Sequence, residues 1–165
     1  MASLKYSKYF LHELPEEQRK KGFGRMPSMV AFTDKDILAD SKYFSVMWMG
    51  EEATKMGGHG PHIHQDAELL VALGTDPANP QDLGADMEMC MGPEMESHII
   101  TVSTMIWVPA KLVHAPFRIL KVRRPFLFIQ CQYAPKLTET ALKKLVAEEL
   151  RDKMVFIDAD GKQQD

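Results

Sequence analysis

From Met29 onward the chain runs in short apolar bursts separated by polar breaks marked with Gly and Pro, the rhythm of a sheet protein. Met29-Val30-Ala31-Phe32 and Phe44-Ser45-Val46-Met47-Trp48-Met49 predict two strands on either side of a polar stretch from Thr33 to Ser41. Leu69-Leu70-Val71-Ala72-Leu73 is a continuous apolar run ending at Gly74, which predicts a strand buried on both faces. Thr75 to Gly84, with Asp76, Pro77, Asn79 and Pro80, is expected to be a loop. Ala85 to Met91 alternates, placing Met87, Met89 and Met91 on one face and Asp86, Glu88 and Cys90 on the other. Gly92-Pro93-Glu94 turns the chain. Ser97 to Ser103, Thr104 to Pro109, His114 to Val122 and Phe126 to Tyr133 then predict four more strands, with Arg123-Arg124-Pro125 as a turn between the last two.

Both ends differ from this rhythm. Near the N-terminus, Leu14 to Lys21 predicts a short helix, with Pro15 in its first turn, acids ahead of bases, and Gly22 after it. After Pro135, Thr138 is expected to cap a helix over Glu139 to Arg151 whose Leu142, Leu145, Val146 and Leu150 share a face. Met154 to Asp158 reads as one final short strand, and 160–165 as a tail. The organisation expected is an N-terminal extension with a leading strand (1–43), a β-barrel (44–135), and a C-terminal helix, short strand and tail (136–165). Many short strands with Gly and Pro turns imply a sandwich or barrel.

Composition narrows the class. The chain has 165 residues, 45% hydrophobic and 26% charged, which suffices for one globular core. A net charge of -3 argues against a general nucleic-acid binder. Cys90 and Cys131 form no disulfide framework and suit a reducing compartment. The opening residues contain no apolar run of signal-peptide length, and no stretch approaches membrane-span length. A soluble, cytoplasmic protein is the expectation, with no membrane partner.

The chemistry concentrates in Gly57-Gly58-His59-Gly60-Pro61-His62-Ile63-His64-Gln65-Asp66-Ala67-Glu68, which holds three of the six histidines. On a strand, His62 and His64 project to the same face roughly 6.5–7 Å apart, a spacing from which two imidazoles converge on one metal ion. On a helix, residues two apart do not face each other. The Gly- and Pro-rich entry favours extended backbone. Glu68 has the same parity, and a short kink after His64 brings it into the set.

Together with Gly74, the segment His62-Ile63-His64-Gln65-Asp66-Ala67-Glu68 resembles the first motif of the cupin family, and Pro109-Ala110-Lys111-Leu112-Val113-His114 resembles the second. The resemblance spans about residues 44–133. It implies a small double-stranded β-helix barrel of jelly-roll type, and one divalent ion (Fe, Mn, Ni, Co or Zn) bound by His62, His64, Glu68 and His114. Three departures stand out: the Glu-to-Gly spacing is one residue short, Lys111 replaces the second motif's Gly, and Arg118 stands where that motif often ends in Asn.

Two further residues are candidate catalytic groups. Arg118 shares the strand parity of His114, so on a regular strand it points into the barrel; its carboxylate partner is then Glu88 or Asp86 of the protein, or a substrate. His59 is an acid/base candidate or an extra ligand, or else a solvated side chain in a Gly-rich loop. The Met87, Met89, Met91 strand reads as core filler. The family resemblance is compatible with a metal-dependent enzyme of dioxygenase, lyase or isomerase type, and a divalent cation with Arg118 beside it would favour a small anionic carboxylate or carbonyl compound as substrate. The alternative is a non-catalytic metal- or ligand-binding, sensor-type cupin. A homodimer is expected, with Trp48, Met49 and the Met87–Met91 strand as interface or core.

Overall fold

The structure, a computed structural model, describes residues 5–12 and 29–157; the helix expected over Leu14 to Lys21 lies outside the described residues. Ten strands, numbered in chain order, form two five-stranded antiparallel sheets. The first runs β1 (Met29–Thr33), β2 (Phe44–Met49), β9 (Phe126–Gln132), β4 (Glu68–Leu73), β7 (Thr104–Val108). The second runs β10 (Thr140–Ala141), β3 (His62–Ile63), β8 (His114–Val122), β5 (Asp82–Met91), β6 (Glu96–Val102). The sheets face each other without joining into a closed cylinder. The expected all-β jelly roll is what forms, and a single helical turn, α1 (Glu148–Arg151), follows it.

Alternation along each strand builds the core. Met47 and Met49 of β2, Leu70 and Ala72 of β4, and Phe126 and Phe128 of β9 point inward from one sheet; Met87 and Met89 of β5 and Ile119 of β8 meet them from the other. Four of these are methionines, whose flexible thioethers fill the irregular gap between two twisted sheets. Strand β4 is not buried on both faces as its unbroken apolar run suggests. Leu69 and Val71 are half-buried and Leu73 is exposed, because they stand on the outer face of the first sheet.

Two sequence expectations are corrected by local geometry. Thr140 and Ala141 do not begin a helix; they pair with Ile63 and His62 and give the two-residue strand β3 a second partner. Long-range pairing overrides the helical spacing here, and α-helix survives only over Glu148–Arg151. The final strand shrinks to a bridge between Val155 and His59. Strand β8, meanwhile, is not regular: Met91 pairs with His114 and Met89 with Phe117, so three residues of β8 oppose two of β5. Such a bulge moves the side chains that follow it to the other face, here as far as Ile119, beyond which a second irregularity intervenes.

Candidate metal centre

Register brings the histidines together. His62 on β3 pairs directly with His114 on β8, and their ring centroids lie 4.1 Å apart. His64 follows β3 on the same face, 4.8 Å from the His62 ring and 4.9 Å from that of His114. The chain is drawn back at the second motif by Lys111, whose N–H donates to His64 O at 2.9 Å. Lys111 takes φ 63°, the left-handed conformation that glycine adopts most easily, so the turn keeps its shape without the motif's Gly.

Each imidazole is oriented through its Nδ1. His62 donates to Gly60 O at 2.8 Å and His114 to Leu112 O at 3.1 Å, while His64 donates to Thr138 O. These bonds fix the tautomer with the proton on Nδ1 and leave Nε2 as a lone-pair donor, the arrangement found behind metal-bound histidines. Nε2 of His64 and of His114 are buried and have no hydrogen-bond partner. Glu68, at the start of β4, lies among them: its Oε2 is 3.4 Å from both of those nitrogens. His62, His64 and His114 each offer a ligand atom within 4.8 Å of the other two. Orphaned buried nitrogens are costly unless something occupies the space between them. Three nitrogens and a carboxylate oxygen suit a first-row divalent ion with coordination positions left open.

The electrostatics keep the Glu68 carboxylate ionised among these imidazoles. Burial alone would raise the Glu68 carboxyl, but the imidazoles of His114 and His64 outweigh it and hold the group at about 2. Burial, then the neighbouring imidazoles of His59, His114 and His64, push His62 well below its ordinary value and keep it neutral. For His64 burial works downward and Glu68 upward, and the carboxylate prevails. Behind Glu68, Gln130 and Gln132 each donate to its Oε1 at 3.3 Å. Gln132 also accepts from the Thr138 N–H at 3.0 Å, which sets its amide orientation. Its Nε2 lies 3.0 Å from His64 Nδ1, but that nitrogen's proton goes to Thr138.

His59 is not a solvated loop residue. Its ring stacks on His62 at 4.4 Å, and its Nε2 donates to Glu139 Oε1 at 2.6 Å. Its backbone bridges Phe117 and Val155. Glu139 is 1% exposed and was hidden in the sequence by the helical reading of its segment. His59, His62 and Glu139 form a second cluster of donor atoms. The Nδ1 of His62 is already committed to Gly60, however, so this cluster buttresses the first. Arg118 stands apart from the site. It is 45% exposed and pairs with Glu88 through Nε at 2.6 Å and through Nη2. The bulge in β8 explains the displacement: Phe117, not Arg118, faces the interior. In the turn after β8, Arg123 pairs with Asp86 at 2.7 Å and Arg124 with Asp82 at 2.8 Å. The two cysteines are free, and burial raises both thiols.

Two facing antiparallel sheets with a buried histidine-rich group between them have the jelly-roll architecture that the paired motifs imply. No family model matches the chain, and no curated protein does. Among solved structures it is similar to a Lactobacillus farciminis oxalate decarboxylase in complex with formate, at 11% identity over 72% of this chain and 32% of that chain, TM-score 0.47. It is similar to DddQ, a DMSP lyase from Ruegeria pomeroyi DSS-3, at 15% identity over 84% of this chain and 64% of that one, TM-score 0.43. A third is Peruvianin-I, a cysteine peptidase from Thevetia peruviana latex, at 10% identity, 85% and 80% coverage and TM-score 0.49. The chain spans about a third of the length of the decarboxylase. At this level of similarity the activities named are those of the other proteins.

Proposed function

We propose that this chain binds one divalent metal ion through His62, His64, Glu68 and His114, and that it is a small-molecule enzyme of dioxygenase, lyase or isomerase type. The observation that carries the reading is the pair of buried, unpartnered Nε2 atoms converging on an ionised Glu68. A bound Fe, Mn, Ni, Co or Zn would supply Lewis acidity or a redox centre with positions open to substrate. The chain's own residues do the rest. Glu68 contributes the single negative charge, the three backbone carbonyls aim the imidazoles, and Gln130 and Gln132 keep the carboxylate in place. His59, held by Glu139 and lining the cavity, is the acid/base candidate. Arg118 has no part in the reading, so a carbonyl or carboxylate substrate is attracted by the metal alone. The test is reconstitution with each of the five ions, followed by oxygen-uptake and product assays on a panel of small carbonyl and carboxylate compounds. Turnover that depends on one of the ions supports an enzyme. Ligand retention without turnover under every ion overturns that in favour of a binding or sensing module.

We further propose that the protein is a cytoplasmic homodimer joined through the outer face of the first sheet. Phe44, Trp48, Leu73, Met105, Trp107 and Tyr133 are all exposed there, and none of the outward positions of β2, β4, β7 or β9 is charged. Met49, Met87 and Met89 belong to the core, so of the interface candidates in the sequence Trp48 remains. A continuous apolar face of this kind is characteristic of a covered surface. The free thiols suit a reducing compartment. Light scattering at micromolar concentration should give twice the chain mass, reduced to the chain mass by Trp107→Glu; a monomeric wild type overturns the assignment. Among the described residues no helix is long and apolar enough to cross a membrane.

A further inference from the structure

The cavity at the candidate metal centre is lined by the imidazoles of His59, His62 and His114, by Glu68 and Gln130, and by the apolar side chains of Met47, Met49, Leu70, Met89, Phe117 and Phe128. The space amounts to about 410 Å³ including its open mouth. A neighbouring cavity, also about 410 Å³ with its open mouth, has His59 as its one titratable side chain and is otherwise lined mainly by apolar side chains, Met56, Ile119, Val155 and Ile157 among them. The two share Met49, His59 and Phe117 as a partition. Neither cavity is lined by a lysine or arginine, because the bulge in β8 turns Arg118 to the outside, against Glu88.

A small dianion fits this site poorly. Its metal-bound end would be accommodated, but its far carboxylate would be desolvated against methionine and phenylalanine with no cation to meet it. An apolar chain or ring has the opposite balance, since it exchanges water for close-packed carbon and sulfur. Resting on the metal assignment above, we propose that the ligand is an uncharged apolar chain or ring carrying a single metal-directed oxygen group, and that its body lies in the Met/Phe chamber. The chamber, more than any charged residue, sets which substrates are taken.

Protein loaded with Co(II) and titrated with the linear hydroxamates from acetohydroxamate to hexanohydroxamate, and separately with oxalate, tests this. The change in Co(II) visible absorption reads binding directly. Affinity should rise about three- to fourfold with each added methylene, as burial of a CH₂ group requires, and oxalate should bind no tighter than acetohydroxamate. Met49→Gln, which puts an amide in the partition, should flatten the series; a full slope in that variant, with native near-ultraviolet circular dichroism, overturns the placement of the ligand body. If the variant does not fold, the wild-type series decides. Co(II) uptake with a flat series, or with oxalate preferred, overturns the apolar chamber while the metal assignment stands. Failure to take up Co(II) at all overturns the metal assignment and this proposal with it.

Discussion

Gln132→Leu tests whether the residues behind the candidate ligands hold them in place. Gln132 is completely buried; it accepts from the Thr138 N–H at 3.0 Å and donates to Glu68 Oε1 at 3.3 Å. Leucine fills nearly the same volume and makes neither bond. The Thr138 amide is then orphaned, a loss of about 1–3 kcal/mol, and a charge-assisted bond worth about 1.5–3 kcal/mol is removed from Glu68. Gln130 still donates to the same oxygen, and the leucine gains some apolar burial, so a net destabilisation of about 3 kcal/mol is expected. Thr138 also supplies the carbonyl that aims His64. Its release should therefore weaken metal binding about 10–100-fold, the usual effect of losing an outer partner of a metal ligand. Gln130→Leu removes one bond to Glu68 and only a long contact with Ser45, 3.4 Å; about half the destabilisation is expected. Urea unfolding of the chelator-treated proteins gives the first quantity, and competition with a chromogenic chelator gives the second. A Gln132→Leu protein within about 1 kcal/mol of wild type, binding metal no less tightly than Gln130→Leu, would refute the reasoning.

Three further outcomes are expected. Arg118→Gln should cost roughly 1 kcal/mol, since the arginine is 45% exposed, and should leave the affinity for acetohydroxamate unchanged in the titration above; a large loss of ligand affinity would return Arg118 to the site. Gly60→Ala places a Cβ 2.2 Å from the Phe156 ring; overpacking of about 1–3 kcal/mol, together with weaker metal binding through displaced Gly60 O, should appear in thermal and metal titrations. The pH dependence of the metal-free protein follows from His62, held well below the ordinary histidine value of about 6.5 by burial and then by its neighbours. Its folded-state pKa is depressed, so the unfolded chain takes the proton first, and stability attributable to His62 is lost as pH falls below 6.5. The urea midpoint of wild type should drop relative to His62→Gln between pH 7.5 and 5.5, and parallel curves would contradict this.

That His62, His64 and Glu68 could come together was legible in the sequence from local parity. His62 and His64 are two apart on extended backbone, and Glu68 and His114 each open a strand, β4 and β8. The turn at Lys111 was less so: residue type alone does not show that a lysine takes a glycine's φ. Arg118 was misplaced by one residue of register. A bulge leaves no signature in hydrophobic alternation, and Pro116 was the one local hint of irregularity in β8. Glu139 went unseen because Leu142, Leu145, Val146 and Leu150 have helical spacing, while the interactions that decide the conformation come from β3 and His59, some eighty residues earlier. The apolar run of β4 was read as burial on both faces because a strand inside a protein and a strand on an uncovered sheet look alike in sequence.

Metal content tests the central claim most directly. Protein purified without an affinity tag, equilibrated with each of Fe, Mn, Co, Ni and Zn and freed of loose ions, should hold one divalent ion per chain by elemental analysis. His64→Ala, with the β-sheet circular dichroism of wild type, should hold none. A wild type that retains no ion under any of the five conditions, or a folded His64→Ala that retains a full equivalent, would contradict the account.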